Sequence, residues 1–297
     1  MHSRRCRLSL YETPAALRSA LEAHLASNSR ESGTYLQLLR RLATFERLLA
    51  RLELAAPDRW IVKGGMALEV RIGDKARSTR DLDLALRDAG TEGTHVREFL
   101  SDCVATDREG DGFEFRVGAP TSLSADEAGR PGWRFSVEAR MGNRTFAEFR
   151  LDVVARAEEI SKTQRVRLPG LLAFAGLKTQ EVEVVDPAKH FAEKLHAFTR
   201  FYGERPNSRV RDLPDLVLLI EEGLEPNAEL LAVVSHVFRE RATHGLPMEL
   251  SYPPASWTDP YPTLASGLDI GAKTIEEAMA QLRPFWAATL ANRNEED

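Results

Sequence analysis

Apolar residues at positions 35, 38, 42, 45, 49 and 52 recur every three to four residues, a period that predicts an amphipathic helix over residues 35 to 52. The pattern then shortens. RWIVKGG is an apolar run closed by two glycines and reads as a strand, GMALEVRI as a short helix, GDKARST as a loop and RDLDLAL as a second strand. A helix near residues 94 to 103 precedes three further strand candidates, FEFRV, WRFSVEARM and TFAEFRLDVVAR. The segment APTSLSADEAGRPG, residues 119 to 132, is polar and rich in turn formers, as an exposed connection should be. From about Leu171 the chain changes character, and helical periods dominate in PAKHFAEKLHAFTRFY, DLPDLVLLIEEG, Asn227 to Thr243 and Ile275 to Asn292. The expected fold class is α/β: an N-terminal helical segment over residues 1–56, a mixed β-sheet core over 57–170 and a helical C-terminal domain over 171–297.

Three carboxylates interrupt the strand patterns. Asp81 and Asp83 in RDLDLAL lie two residues apart and so point to one face of their strand. Like charges on one face repel unless a cation or water lies between them. Asp152 sits in the apolar run FRLDVV and needs water, a partner or a metal for the same reason. If its strand neighbours that of Asp81 and Asp83, all three converge, and an oxygen-only ligand set suits Mg²⁺ or Mn²⁺. The bland alternative is a half-exposed edge strand with its polar face in water. Gly64 and Gly65 lie between a strand and a helix, where backbone N–H groups and the positive helix end can receive a phosphate; a tight connection is the alternative.

KGGMALEVR followed by STRDLDLAL resembles the opening motif of the nucleotidyltransferase superfamily, a glycine-rich turn and then D-x-D. AEKLHAF and RVRDLPDLVLL are similar to later motifs of its AbiEii branch, the toxin component of bacterial abortive-infection and toxin–antitoxin pairs, which includes the MenT-like toxins. The resemblance runs from Arg59 to Ile220. It departs from many superfamily members at Gly65, where they carry serine, so the phosphate contact of that hydroxyl has to come from backbone donors.

The resemblance implies a nucleotidyltransferase-like sheet and transfer of a nucleoside monophosphate from NTP to RNA, at the 3′ end of tRNA, which blocks translation. A cognate antitoxin protein is implied with it. Asp81, Asp83 and Asp152 would bind the metal ion, and Asp152 would draw the proton from the attacking hydroxyl. Lys194 would meet triphosphate oxygens, with Lys63 doing so from the other side; read as residues, either lysine could instead snorkel to solvent. Asp215 would be functional, whereas Asp212 before Leu213-Pro214 has the form of a helix N-cap. Arg205, Arg209 and Arg211 form a basic cluster that is either a solvated loop or, at Arg209 and Arg211, a phosphate contact. Ser78 and Thr79 precede the metal carboxylates, and phosphorylation there would add negative charge against the triphosphate. The alternatives are transfer to a protein or small molecule, or a nucleotide-binding interaction module without catalysis.

Bulk composition narrows this little. The 43% hydrophobic and 29% charged content is that of a globular protein, and the net charge of −5 confines any nucleic-acid contact to a local patch. The N-terminus lacks the apolar stretch of a signal peptide, and no run is long enough to span a membrane. Cys6 and Cys103 form no ligand pattern, so a reducing cytoplasm is the expected location.

Overall fold

The computed structural model describes residues 10–76, 79–87, 92–123, 130–156, 162–203 and 207–293. The chain divides into two compact units, one built from residues up to Val184 and the other from Val185 onward together with the short stretch that begins at Ile72.

In the first unit, helices α1 (Pro14–Ser32) and α2 (Leu36–Ala55) precede strand β1 (Trp60–Lys63), helix α3 (Gly64–Ile72) and strand β2 (Asp81–Arg87). Helix α4 (Gly93–Ala105) follows, then β3 (Phe113–Val117), β4 (Thr121–Leu123), β5 (Gly132–Met141), β6 (Arg144–Arg156), β7 (Thr163–Arg167) and β8 (Glu181–Val185). The strands form one mixed sheet in the order β3-β5-β6-β2-β1-β8-β7, with β4 also paired to β5. The long β5–β6 hairpin turns through Gly142 and Asn143, both at positive φ, as a two-residue turn matched to strand twist requires.

One face of the sheet carries Leu82, Leu84 and Leu86 of β2 with Leu151 and Val153 of β6, all buried. Helices α2 and α4 cover it. Phe45 of α2 meets Phe149 of β6 edge-on at 4.8 Å between centroids, and Phe99 of α4 stacks on Trp60 at 5.6 Å. The opposite face takes the alternate residues, among them Asp81, Asp83 and Asp152. A second core lies under α1, whose Leu17, Leu21 and Leu25 recur at every fourth position and pack with Leu39, Phe113, Phe146 and Leu172.

The inner flank of α2 also buries charge. Arg47 and Arg51 both reach Asp111, at 3.2 Å and 2.5 Å, and Arg47 pairs with Glu109 as well. Arg51 donates further to the carbonyls of Val104 and Phe113. On the same helix, Glu46 accepts from the backbone N–H groups of Gly170 and Leu171, both at 2.9 Å. Burial raises the Glu46 carboxyl above its ordinary value, opposed chiefly by the Leu171 hydrogen bond and the neighbouring Arg47.

The second unit holds α5 (Pro187–Thr199), α6 (Asp212–Glu221), α7 (Ala228–Arg241), α8 (Pro260–Ser266) and α9 (Ile275–Leu290). Helix α5 begins at Asp186, whose side chain accepts from Ala188 N–H ahead of Pro187, and α9 begins in a capping box formed by Thr274 and Glu277. No helix among the described residues is long and apolar enough to cross a membrane. Two boundaries differ from the sequence expectation. The N-terminal helices belong to the sheet's own unit, because α1 and α2 supply part of its core. The helical unit begins at Val185 rather than Leu171, because β8 pairs parallel with β1.

Candidate active site

Strand β1 ends at Lys63, directly opposite Asp83 of β2 in the antiparallel register. The chain then turns into α3 through Gly64 at φ +59. A Cβ at this position would lie 2.0 Å from Asp83 Oδ2, so the carboxylate of Asp83 rests against bare backbone at the start of a helix. A negative charge there is favoured by the partial positive charge of the helix N-terminus. Gly64 is therefore required twice, by its dihedral angle and by the approach of Asp83.

Parallel pairing of β2 with β6 places Asp152 beside Asp83, and antiparallel pairing of β6 with β5 places Arg134 beside Asp152. Across four neighbouring strands the sheet thus presents Lys63, Asp83, Asp152 and Arg134 in one row, with two carboxylates flanked by two cations. Arg134 holds Asp152 with two parallel hydrogen bonds, Nε to Oδ1 at 2.7 Å and Nη2 to Oδ2 at 2.6 Å. The Arg134 guanidinium is held above its ordinary value, first by this hydrogen bond, with partial burial opposing and the charges of Asp152, Asp81 and Asp83 adding to it. Asp81 lies two residues before Asp83 on the same face, half-buried, opposite the exposed Arg150.

These residues assemble the carboxylate set that the sequence suggested, with one qualification in chemistry. Among the described residues no group of three or more His, Cys, Asp or Glu side chains stands ready to hold a metal ion. Asp152 has both oxygens on Arg134, and Asp81 and Asp83 share its face of the sheet. One or two carboxylates with substrate phosphates and water are the usual set for Mg²⁺.

Ser78 lies outside the described residues. Thr79 is buried, and its hydroxyl donates to the Asp81 carbonyl at 2.9 Å while Arg41 donates to the Thr79 carbonyl. A hydroxyl so engaged is not presented for modification, and Thr79 acts here as a brace for the start of β2.

In the second unit, Lys194 of α5 is buried, and its ammonium meets Asp215 at 2.6 Å and Asp212 at 3.1 Å, both on α6. It does not snorkel. Asp215 is fully buried within the fourth position of α6. Asp212 is not the N-cap that Asp-Leu-Pro suggested: the cap position is Arg211, which makes no side-chain capping bond, and Asp212 is already helical with its carboxylate turned to Lys194. Arg209 and Arg211 are exposed on the turn into α6, and Arg205 lies outside the described residues.

Sequence reasoning missed Arg134, which sits in an ordinary alternating strand, and it missed a chain of side chains around His196. Arg241 donates to His196 Nδ1 at 3.3 Å, His196 Nε2 meets the Thr243 hydroxyl at 2.9 Å, and that hydroxyl meets His244 Nδ1 at 3.0 Å. His244 Nε2 then meets the Thr199 hydroxyl at 2.8 Å, which donates to the Leu195 carbonyl. With His196 neutral, every proton in the chain runs one way, from Arg241 to Leu195. Burial, then Arg241, His244 and Arg200, push the His196 imidazole down to about 3. The unfolded chain therefore binds a proton there that the folded chain refuses, and stability is lost as pH falls below about 6.5, by up to about 1.4 kcal/mol per pH unit. Melting temperatures taken between pH 7 and 4.5 should fall more steeply for wild type than for His196→Gln. Parallel pH curves would remove His196 from this role.

Comparison with known proteins gives the family and the fold. No curated protein matches the chain. Among solved structures, MenT4, a nucleotidyltransferase toxin from Mycobacterium tuberculosis H37Rv, is similar over 94% of this chain and 91% of its own, with 20% identity and a TM-score of 0.56, which shows a common fold. JHP933 from Helicobacter pylori is similar over 85% of this chain and 91% of its own, with 14% identity and a TM-score of 0.44. The family model described as the nucleotidyl transferase AbiEii toxin of type IV toxin–antitoxin systems matches residues 47–296. The chain belongs to that family and is a nucleotidyltransferase, the toxin of a toxin–antitoxin pair.

Proposed function

We propose that this toxin moves a nucleoside monophosphate from NTP to the 3′ end of tRNA, with release of pyrophosphate, using Mg²⁺ or Mn²⁺ held by Asp81 and Asp83 with Asp152 completing the site. The observation that carries the reading is the placement of the two carboxylates on one sheet face, with Asp83 seated against the Gly64 turn and Asp152 next to it on the neighbouring strand. When bound, the ion neutralises triphosphate charge and stabilises the entering and leaving oxygens. The protein's share is positioning and electrostatics, since phosphoryl transfer asks for little covalent work from side chains. Lys63, in register with Asp83, supplies positive charge at the edge of the carboxylates, and the turn at Gly64 and Gly65 supplies backbone donors for phosphate. Asp152 is the base for the proton of the attacking hydroxyl. A tRNA acceptor is the reading the family resemblance favours, and the antitoxin is the partner that membership of the family brings.

The test is incubation of the protein with α-labelled triphosphates, Mg²⁺ and total tRNA or total protein. Label on tRNA 3′ ends supports the reading. Label on protein shifts the acceptor, and label nowhere, with active controls, removes the catalytic assignment.

Lys194 and Asp215 enter as a coupled pair. Lys194→Ala is expected to lower transfer about 30- to 150-fold and stability by about 2–3 kcal/mol, because charged hydrogen bonds are lost and two buried carboxylates lose the cation they share. Asp215→Asn should show a similar loss of transfer, and the double variant should lose little more than either alone. Additive losses in that cycle would separate the two residues.

A further inference from the structure

Asp152 is already charge-paired. Both its oxygens accept from Arg134, which neutralises the charge that a metal ion or the proton of an attacking hydroxyl would draw on. The pair is also not sealed in: the Arg134 side chain is 40% exposed against 16% for Asp152, and the guanidinium sits at the rim of the row while the carboxylate sits inside it. An arginine fork fits phosphate oxygens as well as it fits a carboxylate. A group that competes with the ion for Asp152, and that carries the geometry phosphate prefers, has an evident destination in a site that takes a triphosphate.

We propose that Arg134 is the resident counter-cation of this site, closing Asp152 in the nucleotide-free protein and moving onto phosphate oxygens of the incoming nucleotide when a divalent ion engages Asp152. This rests on the nucleotidyl-transfer reading above. It implies that metal and nucleotide favour each other's binding. The ion alone has to displace Arg134 into water, whereas with a triphosphate present the guanidinium exchanges one anion for another. Such coupling is reciprocal and can be read from either ligand.

The experiment measures Mn²⁺ affinity of the intact protein, with and without a non-hydrolysable nucleoside triphosphate, by calorimetry or manganese electron paramagnetic resonance. Arg134→Gln is expected to bind Mn²⁺ alone about tenfold more tightly than wild type, as removal of one competing charge contact would give. It should also lose most of the enhancement that the triphosphate confers. Arg134→Lys, which keeps the charge without the fork, should fall between the two and answers the question if the glutamine variant does not fold. Mn²⁺ affinity equal to or weaker than wild type in the variants, or an undiminished effect of the triphosphate, overturns the proposal. Mn²⁺ binding by wild type and its loss in Asp83→Asn report on metal-dependent transfer itself, so a failure of that reading appears in those two proteins whatever Arg134 does.

Discussion

Asp83→Asn is expected to reduce nucleotidyl transfer by about three orders of magnitude or more while the protein keeps its fold. The carboxylate lies at the point where β1, β2 and the start of α3 meet, in register with Lys63 on one side and Asp152 on the other. Asparagine fills the same space beside Gly64 but cannot offer the charge that holds a divalent ion. Loss of the metal's charge stabilisation, worth several kcal/mol in the transition state, corresponds to about 10³-fold or more in rate. The fold should survive because asparagine keeps the shape, and the relief of repulsion from Asp81 and Asp152 offsets the lost attraction to Lys63 and the helix N-terminus, so the melting temperature should change little. Label transfer and calorimetry on the purified variant check both halves. Transfer at the wild-type rate would end the assignment of this face as the catalytic one, and Asp81→Asn provides the same test two residues away.

The largest effect on stability is expected at a residue with no part in the chemistry. Asp111→Asn leaves Arg47 and Arg51, both almost completely buried, without the carboxylate they share. A lysine in that position could shed its proton, but a guanidinium cannot, so both charges stay in the interior with only Glu109 left to Arg47 and Asp107, at 3.5 Å, left to Arg51. Breaking a buried pair in this way costs about 3–5 kcal/mol, which for a unit of this size lowers the melting temperature by roughly 6–20 °C. Glu109 is held by Arg47 and Gln180, and Asp107 reaches Arg51 only at 3.5 Å, so neither replaces the shared contacts of Asp111. Thermal or urea unfolding of Asp111→Asn measures the loss directly. A shift within a degree or two of wild type would mean that water reaches this cluster.

The strand–turn–helix–strand segment around Gly64 and Asp83 was legible because its signals are local: two glycines after an apolar run, then a period of two with carboxylates on one face. Asp152 was legible only conditionally, since its value depended on which strand β6 would join, and the β2–β6 pairing meets that condition. Arg134 was not, because it gains its meaning from a hairpin register that includes a shift between Ala139 and Arg140, and no short-range pattern encodes this. Strands β7 and β8 were hidden by brevity, five residues each. Arg47, Arg51 and Glu46 lie off the apolar stripe of α2, yet they face Asp111 and the Gly170 turn inside the unit. Asp212 was misread because the Asp-Leu-Pro rule concerns the local chain, whereas a lysine from another helix decides where that carboxylate points.

The turn at Gly64 bears on how this chain can vary by descent. Two separate objections weigh against any other residue there: the positive φ and the Asp83 oxygen that occupies the space of a Cβ. Replacing Asp83 removes the second objection and leaves the first, so position 64 still favours glycine, or an asparagine like the one at 143, even in a lineage that has abandoned the reaction. Position 83 carries no such backbone demand and is free to drift once transfer is no longer selected. The two positions therefore record different histories, glycine 64 the persistence of the fold and aspartate 83 the persistence of the chemistry, and a decayed copy of this toxin would be recognised by keeping the former without the latter.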